Sequence, residues 1–207
     1  MTRQDQEPSN ASPLDTELML QTREGDASAF EQIYSRHYRK VLNFFFAMSR
    51  DAGLAEDLCH ETFLRIWKFR GRYAATGPFV AYLFAFARNI WFEKRRSLSR
   101  FAMQGYRVAQ SEWDECADSG PLGNPADALD RAELGEAIER AIDGLPDDQR
   151  MAFVLRTVEG LSLEEIAAVM MCPVNTVRSR RILAVRKLRS SLRRLFASRV
   201  SSHSKVL

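Results

Sequence analysis

The chain has 207 residues, 45% of them hydrophobic and 28% charged, the composition of a globular protein of one or two domains. No apolar run nears the ~18 residues of a membrane span, so no membrane insertion is expected, and the acidic start MTRQDQEPSNASPLDTE does not read as a secretory leader. The net charge of +3 conceals four blocks: 6 Lys/Arg against 11 Asp/Glu over residues 1–64 (−5), 10 against 1 over 65–108 (+9), 2 against 12 over 109–149 (−10) and 12 against 3 over 150–207 (+9).

In chain order, residues 1–13 read as a disordered tail, succeeded by a short helix over 14–24. Asp26 is placed to cap a second helix, whose apolar positions Phe30, Ile33, Tyr34, His37, Val41 and Phe45 match the helical repeat. Asp51 caps a third helix running to about Phe69. The loop Gly71 to Pro78 separates it from a fourth, over about Phe79 to Arg96. Residues 99–127 hold Gly105, Gly120, Pro121, Gly123, Asn124 and Pro125 among many acids and read as a flexible linker, in which Trp113 is a candidate local anchor. From Ala128 a second domain starts, with a helix to about Asp143, a break at Gly144-Leu145-Pro146 and a helix to Val158. Residues 197–207 read as a second tail. The expected fold is all-α: two small helical domains, 14–97 and 128–196, joined by a flexible acidic linker, 98–127.

The stretch 161–189, LSLEEIAAVMMCPVNTVRSRRILAVRKLR, has the layout of a helix-turn-helix. Ser162 and Glu165 form the S-x-x-E capping box that starts its first helix, and Leu163, Ile166, Ala167 and Met170 supply a buried face. Pro173 breaks the run, and Asn175 and Thr176 offer oxygens to cap the second helix. On that helix Val177, Ala184 and Leu188 form a core stripe, with Arg178, Arg180, Arg181, Arg186 and Lys187 around the rest. Guanidinium groups pair with phosphates and bond bidentately to guanine, so this helix suits the DNA major groove.

Two further helices carry surface chemistry. In the third, Ala55, Leu58, Cys59, Thr62 and Ile66 form the core stripe, while Asp57, Glu61, Leu64 and Lys68 share the other face, a docking surface for a basic partner. In the fourth, Phe79, Tyr82, Leu83, Phe86 and Ile90 read as core. Arg88, Asn89, Trp91 and the cluster Lys94-Arg95-Arg96 fall away from that stripe. Exposed aromatics among cations suit single-stranded DNA, and an asparagine can read an unstacked base edge. Cys59, Cys116, Cys172, His37, His60 and His203 are scattered, which fits free thiols in a reducing cytoplasm and suggests neither a metal site nor a cofactor.

Three blocks together resemble the extracytoplasmic-function (ECF) sigma factors of bacterial RNA polymerase. These are GDASAFEQIYSRHY with AEDLCHETFLRIWKF, then FVAYLFAFARNIWFEKRR, then LPDDQRMAFVLRTVEGLSLEEIAAVMMCPVNTVRSRR. The resemblance implies a promoter-specificity subunit with no catalytic residues and no small-molecule substrate. Its partners would be core RNA polymerase (the largest subunit's clamp helices and the flap), promoter DNA in duplex and single-stranded form, and an anti-sigma factor. Asp57, Glu61 and Leu64 would dock on the clamp helices. Phe69, Arg72, Tyr73, Arg88 and Asn89 would engage the minus-ten element. Thr176, Arg178, Ser179, Ile182 and Arg186 would contact the minus-thirty-five element. Arg181 and Leu183 depart from the family pattern, which usually has an aliphatic and a basic residue there, and Tyr82 stands where tryptophan is usual. The acidic linker, with Asp114, Glu115 and Asp118, would run through the polymerase's basic channel as a nucleic-acid mimic.

Two rivals remain at this point. A free-standing regulator with a LuxR-like helix-turn-helix would carry a sensory half, and a receiver of that kind would alternate strands and helices. A nucleic-acid-processing enzyme would need converging metal-binding carboxylates, whereas the acids here sit at helix starts or in the linker.

Overall fold

The computed structural model describes residues 13–103, 135 and 137–203, and all its regular elements are helical. Linker residues 104–127 with Trp113, the expected helical residues 128–134, and the ends 1–12 and 204–207 lie outside the described residues. The N-terminal unit comprises α1 (Pro13–Arg23), α2 (Ala27–Ser49), α3 (Ala52–Lys68), a 3-10 turn at Arg70–Arg72 and α4 (Phe79–Met103). The C-terminal unit comprises a helical segment at 137–143 (α5), then α6 (Asp147–Thr157), α7 (Leu163–Met170) and α8 (Val174–His203).

Local chemistry sets the helix starts. Asp26 accepts from the main-chain N–H groups of Ser28 and Ala29, and Asp51 from that of Leu54. The Ser162–Glu165 capping box is present in both directions, at 3.1 and 2.7 Å. The helix ends are less ordinary. α2 and α7 close on Arg50 (φ 58°) and Met171 (φ 52°), two non-glycine residues in the left-handed region.

Two helices and one side chain differ from the sequence expectation. α4 runs on to Met103, and α8 to His203, past the point where a tail was expected. α8 also begins at Val174, with Pro173 accepting from Thr176 and Val177, so Asn175 and Thr176 lie inside its first turn and are not its cap. Trp91 is 3% exposed and belongs to the core. The reason is packing: α4 contacts α1, α2 and α3 and also α7, so it buries a wider arc than a one-sided helix, including Val80, Phe84 and Ala87.

The core of the N-terminal unit is aromatic. Phe44, Phe45, Phe79 and Phe84 are fully buried, with Phe44 in edge contact with both Phe45 and Phe84. Each such ring adds about 1.5–3 kcal/mol of burial energy. The first helix is pinned by a polar contact instead. Asp15 pairs with Arg36 and lies 3.0 Å from His37 Nε2, and burial pushes the His37 pKa down, against the pull of Asp15.

The apolar cluster does not stop at the end of α4. Met151, Val154, Leu155, Leu161, Ile166 and Val169 of the C-terminal unit are continuous with it. α7 packs on α4 and α6 on α2, so the two units form one docked body across the intervening linker. A second, small cluster of Ala141, Leu145, Ala184 and Leu188 ties α5 to α8.

Candidate polymerase and nucleic-acid surfaces

On α3 the core stripe is as the spacing predicts, with Ala55, Leu58, Cys59, Thr62 and Ile66 buried. Asp57 is exposed on the opposite side, and Leu64 is 63% exposed. Glu61 is more constrained: it accepts from Arg65 at 2.6 Å, and Arg65 also pairs with Glu93 of α4 at 2.8 Å. Beside Leu64 an apolar groove of about 410 Å³ opens between α2 and α3, lined by Phe30, Tyr34, His60, Phe63 and Trp67. Phe30 and Tyr34 match the helical repeat of α2, and that repeat gives no sign of this groove. The signal for it was Leu64 itself, an apolar residue on a charged face.

The residues expected at the minus-ten surface divide into three groups. Phe69, at the end of α3, stacks under Arg72 at 5.2 Å and lies 6.5 Å from Phe86 of α4. Phe86 and Asn89 are one turn apart on α4, so Phe69, Arg72 and the exposed Asn89 share one surface. Arg88 sits at its edge, donating to Asn89 Oδ1 at 3.2 Å and covering Phe92 at 5.2 Å. Tyr73 is placed elsewhere. It is 3% exposed, in edge contact with Phe79 and Tyr82, so its ring anchors the loop and is not available to a base.

On α8 the buried stripe is Val177, Ala184 and Leu188. At 100° per residue, Arg178, Ser179, Ile182 and Arg186 fall within an arc of roughly 100° on the opposite face. All four are exposed, with Ile182 at 50%. Thr176 is half-buried. Arg181 is half-buried beside the core stripe, where an aliphatic residue would pack. Arg180 is held by Asp148 of α6 at 2.6 Å and reaches Cys172 Sγ at 3.5 Å, which fixes α8 to the rest of its unit.

Among the described residues, no group of His, Cys, Asp and Glu is arranged to hold a metal ion, and no helix is long and apolar enough to cross a membrane. There is also no strand among them, so the N-terminal half does not have the alternating architecture that a LuxR-like receiver would need.

Comparison with known proteins places both units. Residues 33–101 match the Sigma-70 region 2 family and residues 135–188 the Sigma-70, region 4 family. The chain is 30% identical over 176 residues to the RNA polymerase sigma-H factor of Pseudomonas aeruginosa, covering 80% of this chain and 87% of that one. It is 33% identical over 176 residues, with the same coverage, to the ECF RNA polymerase sigma-E factor of Salmonella typhimurium. Among solved structures it resembles the sigma factor RpoE in complex with the anti-sigma factor NepR from Bartonella quintana, with 25% identity, a TM-score of 0.66, and 79% of this chain and 96% of that one covered. Sigma factors are non-enzymatic regulators of transcription initiation. The chain belongs to the ECF RNA polymerase sigma factors and directs promoter-specific transcription initiation through two helical units, one of the region 2 type and one of the region 4 type.

Proposed function

We propose that the two units divide the labour between polymerase and promoter. Asp57, Leu64 and the Arg65-tethered Glu61 dock on the clamp helices of the largest polymerase subunit, with Leu64 and the adjoining α2–α3 groove supplying the apolar contact. Phe69, Arg72, Arg88 and Asn89 hold an unpaired base of the minus-ten element. Arg178, Ser179 and Ile182 face the major groove of the upstream element, with Thr176 and Arg186 near phosphates. The C-terminal unit also meets the flap. The protein acts in the cytoplasm, has no catalytic activity of its own, and is held in check by an anti-sigma factor, as RpoE is bound by NepR in the solved complex.

One observation carries this reading. Asn89 and the Ser179–Ile182–Arg186 row are both exposed on helices whose other faces are core, so each unit presents its own helix face to DNA. Unstacking a base costs a few kcal/mol, and an aromatic–cation surface such as Phe69–Arg72 offsets it by about 1–3 kcal/mol per stacked base.

The test is run-off transcription with purified core polymerase and a promoter library. Promoter-specific transcripts that depend on the protein, and that weaken with Asn89→Ala, support the reading. Tight duplex binding by the protein alone, with no transcript, sinks it.

A further inference from the structure

The region 4 match ends at residue 188, whereas α8 continues as one helix to His203. Arg189 and Arg193 lie in the first turns of that continuation, and both are exposed. At about 100° per residue they fall about 20° and 60° around the helix from Arg178, inside the arc that Arg178, Ile182 and Arg186 already span. The outward face of α8 therefore runs on past the helix-turn-helix without a change of direction. Arg186, Arg189 and Arg193, with Arg181 at their side, border a single hollow of about 810 Å³. Among the described residues no carboxylate pairs with Arg186, Arg189 or Arg193, unlike Arg180, which Asp148 holds.

Groove dimensions decide what this continuation meets. The major groove is about 12 Å wide and winds around the duplex, while a helix bends only gently, so the two run together briefly. At 1.5 Å per residue, Arg178 to Arg186 already spans about 12 Å, and Arg193 lies about 10 Å further on. A helix seated in the groove by its first turns thus carries Arg189 and Arg193 out over the rim. There the duplex offers phosphates and no base edges. Guanidinium groups without a carboxylate partner, gathered around one hollow, focus positive potential and bind phosphate oxygens strongly.

We propose that Arg189 and Arg193 form a second DNA contact, on phosphates just outside the upstream element that Arg178, Ser179 and Ile182 face. The contact strengthens binding to every promoter alike and leaves the choice among promoters to the residues in the groove. It lies beyond the region 4 match, so it is an addition to the recognition helix and not a part of it. The inference rests on the reading of α8 as the upstream-element helix given above.

The test uses holoenzyme assembled from core polymerase and the full chain. Wild type is compared with the double variant Arg189→Ala and Arg193→Ala on one promoter duplex, so that contacts made by core polymerase cancel. Affinity is measured by anisotropy across a salt series, and the phosphates in contact are mapped by ethylation interference. The alanine variant is expected to lower the log–log salt slope by about 1.8, at about 0.9 for each phosphate, and to bind at least about five-fold more weakly. Interference should vanish at phosphates outside the base pairs whose replacement alters binding, and the ratio of affinities for matched and mismatched elements should not change. Arg189→Lys with Arg193→Lys should keep the wild-type slope, because lysine binds phosphate as a point charge. An unchanged slope in the alanine variant overturns the inference. So does interference lost inside the element, or a slope that falls as far in the lysine variant. Full preference for the matched element in Arg178→Ala removes the reading of α8 and the inference with it. Preference lost in Arg178→Ala, with no effect of the alanine variant, overturns the inference and leaves that reading standing.

Discussion

The Nη1 group of Arg150 on α6 donates to the main-chain carbonyl of Met48 on α2 at 2.9 Å, a contact between residues 102 positions apart that joins the two units. The same guanidinium donates to the carbonyl of Asp143, and burial lowers the Arg150 pKa. Replacing it by Met, of similar length, leaves two carbonyls short of a donor, at about 1–3 kcal/mol for each group that stays buried. Arg150→Met is therefore expected to lower the midpoint of thermal unfolding, monitored by circular dichroism, by several degrees. A midpoint within a degree of wild type would show that the contact contributes nothing to stability.

Glu159 gives the docked form a pH dependence. Burial pushes its carboxyl pKa up from 4.5 to about 7, against the opposing pull of Lys40 on α2. A carboxyl with a higher pKa when docked favours docking in its protonated form. That contribution is fully present below 4.5 and is lost as pH rises through about 7. Between pH 6 and pH 8 the radius of gyration is expected to grow, and Glu159→Gln should hold the compact value across that range. A radius that tracks pH identically in wild type and Glu159→Gln would rule this carboxyl out as the source.

Polymerase docking is testable on α3. Asp57→Ala and Leu64→Ala alter exposed side chains, so the unfolding midpoint should stay within a degree or two of wild type. Their combined effect on affinity for core polymerase, read by fluorescence titration, is expected to be ten-fold or more, since an exposed leucine filling a pocket is worth about 1.5–3 kcal/mol. Wild-type affinity in the double variant would move the docking surface elsewhere.

The α8 face predicts two kinds of defect. Arg178→Ala should lose about 1–3 kcal/mol on the preferred upstream element and little on mismatched DNA, as expected for a base contact. Arg186→Ala, as a phosphate contact, should weaken all sequences alike and reduce the salt slope by about 1. Binding of region-specific duplexes by holoenzyme at several salt concentrations separates the two. A uniform loss for both variants would mean that Arg178 reads no base.

The thiols should differ sharply. Cys59 is buried, and burial pushes its pKa up to about 12, so it should resist alkylation at pH 8 in the folded chain. Cys172 is half-buried and should react first of the two, as peptide mass mapping after a short iodoacetamide pulse will show.

What the sequence discloses depends on how local the cause is. The caps at Asp26, Asp51 and Ser162–Glu165 involve neighbours within three residues, and the spacing predicts them correctly. The α3 stripe is equally legible, because that helix buries a single face. Trp91 is misread because its burial depends on α4 having partners on more than one side. Docking of the units is illegible for a related reason. Arg95 reads as a DNA-binding cation and Asp147 as a helix-start acid, and nothing local says that they meet across 52 positions. The outward groups of α8 are readable from periodicity, but the groove beside Leu64 depends on how α2 and α3 pack together.

The two left-handed helix ends carry a consequence for evolution and engineering alike. Arg50 and Met171 occupy backbone that costs a side-chain-bearing residue about 1–2 kcal/mol and that glycine occupies freely. Each side chain also reaches the other unit, Arg50 to Asp143 and Met171 to Arg88. Glycine at either position relieves its own unit while cutting a tie between the two. Improvement toward a more heat-resistant protein by these substitutions therefore leads to a looser one, and the chain retains strain at both joints in a form that favours closure over the rigidity of its parts.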